Sequence, residues 1–257
     1  MSAANNLQKT LERLARMNSA NKTTTTTTKS TVKYFKAKPG KNNLLVLPTP
    51  FGSNDPFLEW GTHKNLLDQA WKDVACIQHN RGEECVICQV VEDLKKQDWK
   101  GNYNLWKPLE LKIRYYSPVI NLDEVDAGVQ WWGYGKSVLS QFENWLLNLE
   151  EDEAPFYSTE RPEKIIVSYN DQAAPTDMYK LDKKLIAKAY SASQNAEWAE
   201  QIKPLNEVMT YEMPQEKVLE ALEGYLDRRK DELDATSVDE EDENNGPSNK
   251  KLDSLKK

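Results

Sequence analysis

All three cysteines and both histidines of this 257-residue chain fall between positions 63 and 88. Cys85-Val86-Ile87-Cys88 is a two-cysteine turn, Cys76 lies just upstream, and His63 or His79 is within reach as a fourth donor. A structural zinc ion takes four nitrogen or sulfur ligands in a tetrahedron, and a Cys-x-x-Cys turn supplies two at a suitable bite. One structural zinc is therefore expected. The bound ion would contribute roughly 10–16 kcal/mol of apparent folding energy to the module around it. An odd number of cysteines in so short a window does not suit a secreted disulfide framework.

A closed shell of three thiolates and one imidazole leaves no open coordination position, which points away from chemistry at the metal. Zinc deaminases also combine a histidine with Cys-x-x-Cys, but they place Glu two residues after the histidine and Pro before the first cysteine. Here His63 is followed by Lys64-Asn65, His79 by Asn80-Arg81, and Glu84 precedes Cys85. Lys38-Pro39-Gly40-Lys41 lacks the upstream glycine and the Ser/Thr of a phosphate-binding loop. The reading is of a protein that is not an enzyme.

Around this cluster the chain divides into segments. Leu7, Leu11, Leu14 and Met17 share one face of a short helix whose other face carries Lys9, Arg13 and Arg16. Six consecutive threonines follow within residues 21–30, a linker composition, so residues 1–30 read as a basic arm on a leash. Strands are expected at Val32–Lys38, Leu44–Leu47, Tyr103–Trp106, Leu109–Ile120, Gly128–Tyr134 and Lys164–Tyr169, the first two joined as a hairpin through the Lys-Pro-Gly-Lys turn. Ser137–Leu149 has helical spacing, Trp198–Tyr211 only weakly so, and Pro214–Lys230 puts Val218, Leu219, Leu222, Tyr225 and Leu226 on one face. Asp231–Asn249 holds eight acidic residues and almost no large apolar side chain, a disordered composition, and the chain ends in basic residues. About five strands with an intervening helix fit an oligonucleotide-binding barrel and other small barrels alike.

Charge is distributed unevenly along the chain. Residues 1–120 carry 18 Lys/Arg against 11 Asp/Glu, residues 121–230 carry 12 against 21, and residues 231–257 carry 4 against 9. A basic first half joined to an acidic tail suits a nucleic-acid binder whose tail competes for its own groove. No segment approaches the roughly 20 apolar residues that cross a bilayer. Residues 1–10 lack a signal peptide's apolar stretch. The expectation is a soluble, intracellular protein with no membrane partner.

Binding single strands without sequence preference needs flat rings for stacking and cations along the phosphates. Between Trp99 and Lys136 the chain interleaves the two: Tyr103, Trp106, Tyr115, Tyr116, Trp131, Trp132 and Tyr134 with Lys100, Lys107, Lys112, Arg114 and Lys136. Strand alternation puts Lys112 and Arg114 on the face of Tyr116, and Ile113 and Tyr115 on the other.

The order of basic arm, metal cluster, aromatic strands and acidic tail resembles the single-stranded-DNA-binding, helix-destabilising protein of T-even-like bacteriophages. That family spaces its zinc ligands as His, twelve residues, Cys, nine, Cys, two, Cys. This chain has twelve, eight and two starting from His63. Leu45-Val46-Leu47-Pro48, Pro56-Phe57 and Gly135-Lys136 agree as flanking stretches. The resemblance implies His63, rather than His79, as the fourth ligand. It implies a mainly β fold with some α: an oligonucleotide-binding barrel over residues 31–230, a zinc module inserted at 56–96, a C-terminal helical segment, and a disordered tail at 231–257. It also implies Tyr103 and Trp132 as base contacts and Lys112 with Arg114 as phosphate contacts. The arm would join neighbouring protomers on DNA, with Lys9, Arg13 and Arg16 as its cations. The tail would recruit replication and recombination proteins (polymerase, helicase loader, recombinase) in the cytoplasm of an infected bacterial host.

Overall fold

The computed structural model describes residues 32–51, 55–64, 66, 73–186, 190–209 and 215–242, with side chains of the last segment described from Glu216 to Arg229. The arm cations Lys9, Arg13 and Arg16, the Thr-rich linker and the chain beyond Asp242 lie outside the described residues. Among the described residues no helix is long and apolar enough to cross a membrane.

The architecture is mixed α/β around one eight-stranded sheet. Its strands are β1 (Tyr34–Phe35), β2 (Gly40–Val46), β3 (Leu58–His63), β4 (Val74–Ala75), β5 (Lys112–Asn121), β6 (Val129–Tyr134), β7 (Glu163–Tyr169) and β8 (Tyr179–Leu185). The main path runs β1-β6-β5-β2-β7-β8, with β3 on β5 and β4 on β3. The two end strands do not pair, so the sheet is open. β5 organises it: β3 pairs with its first half, β2 with Val119–Asn121 on the same edge, and β6 with Tyr115–Ile120 on the other.

The centre of this sheet is covered on both faces. That is why Leu44-Leu45-Val46-Leu47 is an unbroken apolar run rather than an alternation. Leu44 and Val46 join Trp132, Tyr134, Ile165 and Val167 under helix α4 (Lys136–Leu147), which adds Val138, Leu139 and Phe142. Leu45 and Leu47 join Trp60, Ile120 and Trp131 under α5 (Ala192–Gln201) and α6 (Leu205–Val208), which add Trp198, Ile202, Leu205 and Val208. Helix α4 also fastens β8, because Gln141 Oε1 accepts from the Leu181 amide at 2.9 Å and its Nε2 donates to the Tyr179 carbonyl at 3.2 Å.

A third core belongs to the metal-ligating segment. It gathers α1 (Ile77–Arg81), α2 (Val86–Gln97), α3 (Tyr103–Trp106) and the 3-10 turn Lys107–Leu109 against α7 (Gln215–Asp242). Val218, Leu219, Leu222, Tyr225 and Leu226 of α7 are buried as their spacing predicts, and the Tyr225 hydroxyl donates to the Leu105 carbonyl at 3.3 Å.

Several expectations are corrected. The hairpin of Val32–Lys38 with Leu44–Leu47 does not form: β1 is two residues long and pairs in parallel with β6, while β2 begins at Gly40. Asn42 closes the turn between them, accepting from the Lys38 amide and donating to its carbonyl, both at 2.9 Å. Gly40 follows at φ 97°, a left-handed conformation that turns the chain away. Tyr103–Trp106 is helical, not a strand. Asp98 accepts from the Lys100 and Gly101 amides, and the Asn102 carbonyl accepts from Leu105 and Trp106. β5 begins at Lys112, after the turn that takes Leu109, and α4 is capped by Gly135 ahead of Ser137. The weakly helical stretch at 198–211 is two helices parted by Pro204, the first starting earlier on a Ser191 cap. The helix read over Pro214–Lys230 continues to Asp242, into the segment whose composition suggests disorder.

Candidate metal centre and nucleic-acid interface

His63, Cys76, Cys85 and Cys88 converge with their ligand atoms all within 4.8 Å of one another, and this group could hold a single metal ion. Local structure delivers each donor. β3 ends on His63 and pairs with β4, and the Cys76 amide donates to the Gly61 carbonyl at 2.9 Å, setting Cys76 beside His63. Cys76 caps α1, its sulfur accepting from the His79 amide at 3.4 Å, and Cys85 caps α2, whose first turn carries Cys88. Helix N-termini favour thiolates through their unpaired amides.

The spacing suits a tetrahedral ion. Ordinary metal–sulfur and metal–nitrogen bonds put neighbouring sulfurs about 3.8 Å apart and sulfur about 3.6 Å from nitrogen. Here Cys76 Sγ lies 3.5 Å from Cys88 Sγ, and His63 Nε2 lies 3.4 Å from Cys85 Sγ and 3.5 Å from Cys88 Sγ. His63 Nδ1 is 2.8 Å from the Leu109 carbonyl. A proton on Nδ1 donated there leaves Nε2 as the ligand atom, the usual outer-shell arrangement for a metal-bound histidine. His63 and Cys76 have no exposed surface.

Without an ion the packed donors perturb one another strongly. Burial alone would depress His63, but its hydrogen bonds to Cys76 and Cys85 push it up to about 10. Hydrogen bonds from Cys76 and Cys88 pull Cys85 far down, while contact with Cys76 and Cys85 pushes Cys88 far up. With Cys85 pulled down and Cys88 pushed up, that pair resists carrying two negative charges, a penalty that a divalent ion would remove. His79 is not part of the group. Its Nε2 is 3.5 Å from the Glu59 carboxylate, and its ring packs on Gly61, where an added Cβ would meet it at 2.7 Å.

A strip of rings and lysines hangs on the same elements. Trp99 and Tyr103 are 55% and 46% exposed, and both pack against Trp106, at centroid distances of 4.7 and 5.0 Å. Lys95 Nζ stands 4.3 Å from the Trp106 ring centre and 5.2 Å from that of Trp99. Lys95, Lys107 and Lys112 surround Glu110 at 2.9, 2.7 and 4.0 Å. Lys95 and Glu110 are absent from the sequence reading of the interface, although Lys95, Trp99, Tyr103 and Trp106 follow a spacing of four, four and three, which is a helical stripe.

The remaining expected contacts separate. Trp106, Trp131, Trp132 and Tyr134 are at most 3% exposed, so these four are core rings with no free face for a base. Trp132 and Tyr134 fill the space under α4, and Trp131 fills the opposite face of the sheet. Tyr115 and Tyr116 are half-buried on opposite faces, as alternation requires. Lys136 Nζ lies 5.8 Å from the Tyr115 ring centre and pairs with Glu143 at 2.9 Å. Arg114 is exposed and donates to the Gly133 carbonyl at 3.1 Å. No protein-family model and no curated protein matches the chain.

Proposed function

We propose that this chain is a non-catalytic single-stranded-DNA-binding protein in which one structural zinc ion, held by His63, Cys76, Cys85 and Cys88, braces the strip of rings and lysines between Lys95 and Lys112. The observation that carries this reading is the pair of exposed rings, Trp99 and Tyr103, set around Trp106 with Lys95 over the group. Exposed rings beside cations suit unpaired bases, and each stacked base contributes about 1–3 kcal/mol.

The brace works through two connections. Cys85 and Cys88 start α2, which carries Lys95 on its last turn and leads to Trp99. His63 holds the Leu109 carbonyl, fixing the turn that presents Lys107 and Glu110. Tetrahedral thiolate–imidazole sites favour zinc. Arg114, which shares the Lys112 face of β5, would extend the path. The divided pairing of β5 suits an opened relative of the oligonucleotide-binding barrel. Protein of this kind coats single strands during phage DNA replication, recombination and repair, with the basic arm joining protomers and the acidic tail engaging replication proteins.

Titrating an oligo-dT strand against intrinsic tryptophan fluorescence at several salt concentrations tests the reading. Quenching with affinity that falls as salt rises supports it; no quenching and no salt-dependent binding refutes it. Stronger competition by oligo-U would reassign the ligand to RNA.

A further inference from the structure

We infer that Lys95, Lys107 and Lys112 form a phosphate-binding site in which the Glu110 carboxylate occupies the place of a phosphodiester. The inference deepens the single-strand reading and rests on it for the identity of the ligand. The three ammonium groups come from three separate elements: α2, the 3-10 turn after α3, and the first residue of β5. All three point at one carboxylate, with Lys95 Nζ on Oε1 and Lys107 and Lys112 Nζ on Oε2. One negative charge among three positive ones leaves a local surplus. A surface ion pair needs a single lysine and adds little to stability, so stability alone gives no reason for three.

A carboxylate and a phosphodiester each spread one negative charge over two oxygens, so one can replace the other without rearranging the lysines. Glu110 is accessible from solvent, its side chain 29% exposed. Hydrogen bonds from Lys107 and Lys95 hold its carboxyl down to about 2, so it is ionised throughout the physiological range. Lys95 also faces Trp99 and Trp106, which puts this anion site next to the exposed rings. A base stacked on Trp99 would bring its own backbone to the cluster. Glu110 then has two opposing effects. It keeps three flexible lysines gathered before the strand arrives, and it must be displaced when the strand binds.

The salt dependence of binding distinguishes this from a passive ion pair. In the native chain Glu110 balances one of the three lysine charges, and a phosphate that replaces it frees a carboxylate that takes up a cation, so the exchange changes net counterion release little. In Glu110→Gln no carboxylate is freed, so each phosphate neutralised on the single strand releases its condensed cations in full and adds about 0.7 to the slope of log affinity against log salt. The full zinc-loaded chain, Glu110→Gln, and Glu92→Gln as a control with the same charge change elsewhere on α2, are titrated with oligo-dT across salt concentrations. Glu110→Gln is expected to bind about three- to tenfold tighter at low salt with a slope steeper by about 0.7, and Glu92→Gln to match the native chain. An unchanged slope in Glu110→Gln, or the same change in both variants, overturns the site. In parallel, inorganic phosphate is added while the indole N–H signals of Trp99 and Trp106 are followed by NMR. Saturable shifts in Glu110→Gln that are weaker in the native chain support the site even if oligo-dT does not bind, in which case the single-strand reading alone fails. Absence of such shifts in Glu110→Gln overturns the site whatever the DNA result.

Discussion

The aromatic core under α4 and the core around the metal ligands are both buried, but different forces hold them. Under α4 the contacts are ring on ring: Trp132 lies 4.8 Å from Tyr134, and Phe142 lies 5.0 Å from Phe156 and 5.4 Å from Phe57. Such a core follows from removing apolar surface from water and needs no additional component. The other core is mostly aliphatic and has four polar donors at its centre, three of them thiols. With the ion proposed above, its stability would depend on metal binding. The same region exposes Trp99 and Tyr103 and gathers the lysines around Glu110, so under the proposal the sheet is a platform and the metal would set the shape of the surface on it.

Metal removal should separate the two regions most strongly. A chelator is expected to cost the metal region on the order of 10 kcal/mol or more of apparent stability. Hydrogen exchange should rise throughout Val86–Gln97 while β5 and β6 stay protected; equal loss in both would merge the two regions into one cooperative unit. Next come paired core truncations. Phe142→Ala should cost about 3–5 kcal/mol in chemical denaturation without changing zinc affinity, and Leu222→Ala about 2–5 kcal/mol while weakening zinc retention. Trp99→Ala, at an exposed ring, should leave the melting temperature unchanged yet weaken oligo-dT binding by about 1–3 kcal/mol. The smallest effect concerns Glu110. Its carboxyl lies below the ordinary value of 4.5, at about 2, so its contribution is present above 4.5 and is lost as pH falls through 2. Partial exposure keeps this under about 1 kcal/mol, and Glu110→Gln should flatten that part of the stability curve.

The metal group was readable because its chemistry demands rare residues close together, and because β3–β4 pairing and two helix caps are local structures. The α7 face and Leu44–Leu47 were readable from apolar spacing. Which rings face water was not, since Trp131, Trp132 and Tyr134 have the same composition whether a strand is covered on one face or two. Both faces of the sheet's centre are covered, one by α4 and the other by α5 and α6. The helical turn at Tyr103–Trp106 was hidden by aromatic side chains that favour strands in isolation, and only the hydrogen bonds of Asp98 and Asn102 decide it. The Glu110 cluster joins residues from three elements, and no spacing rule brings those together.

The central claim is that zinc shapes a single-strand-binding surface on a sheet that folds without it. The most direct measurement is oligo-dT affinity of the same preparation when zinc-loaded, stripped and reloaded, with β5–β6 hydrogen exchange followed in each state. The account predicts binding that is lost on stripping and recovered on reloading while the sheet stays protected. Equal affinity in all three states would contradict it.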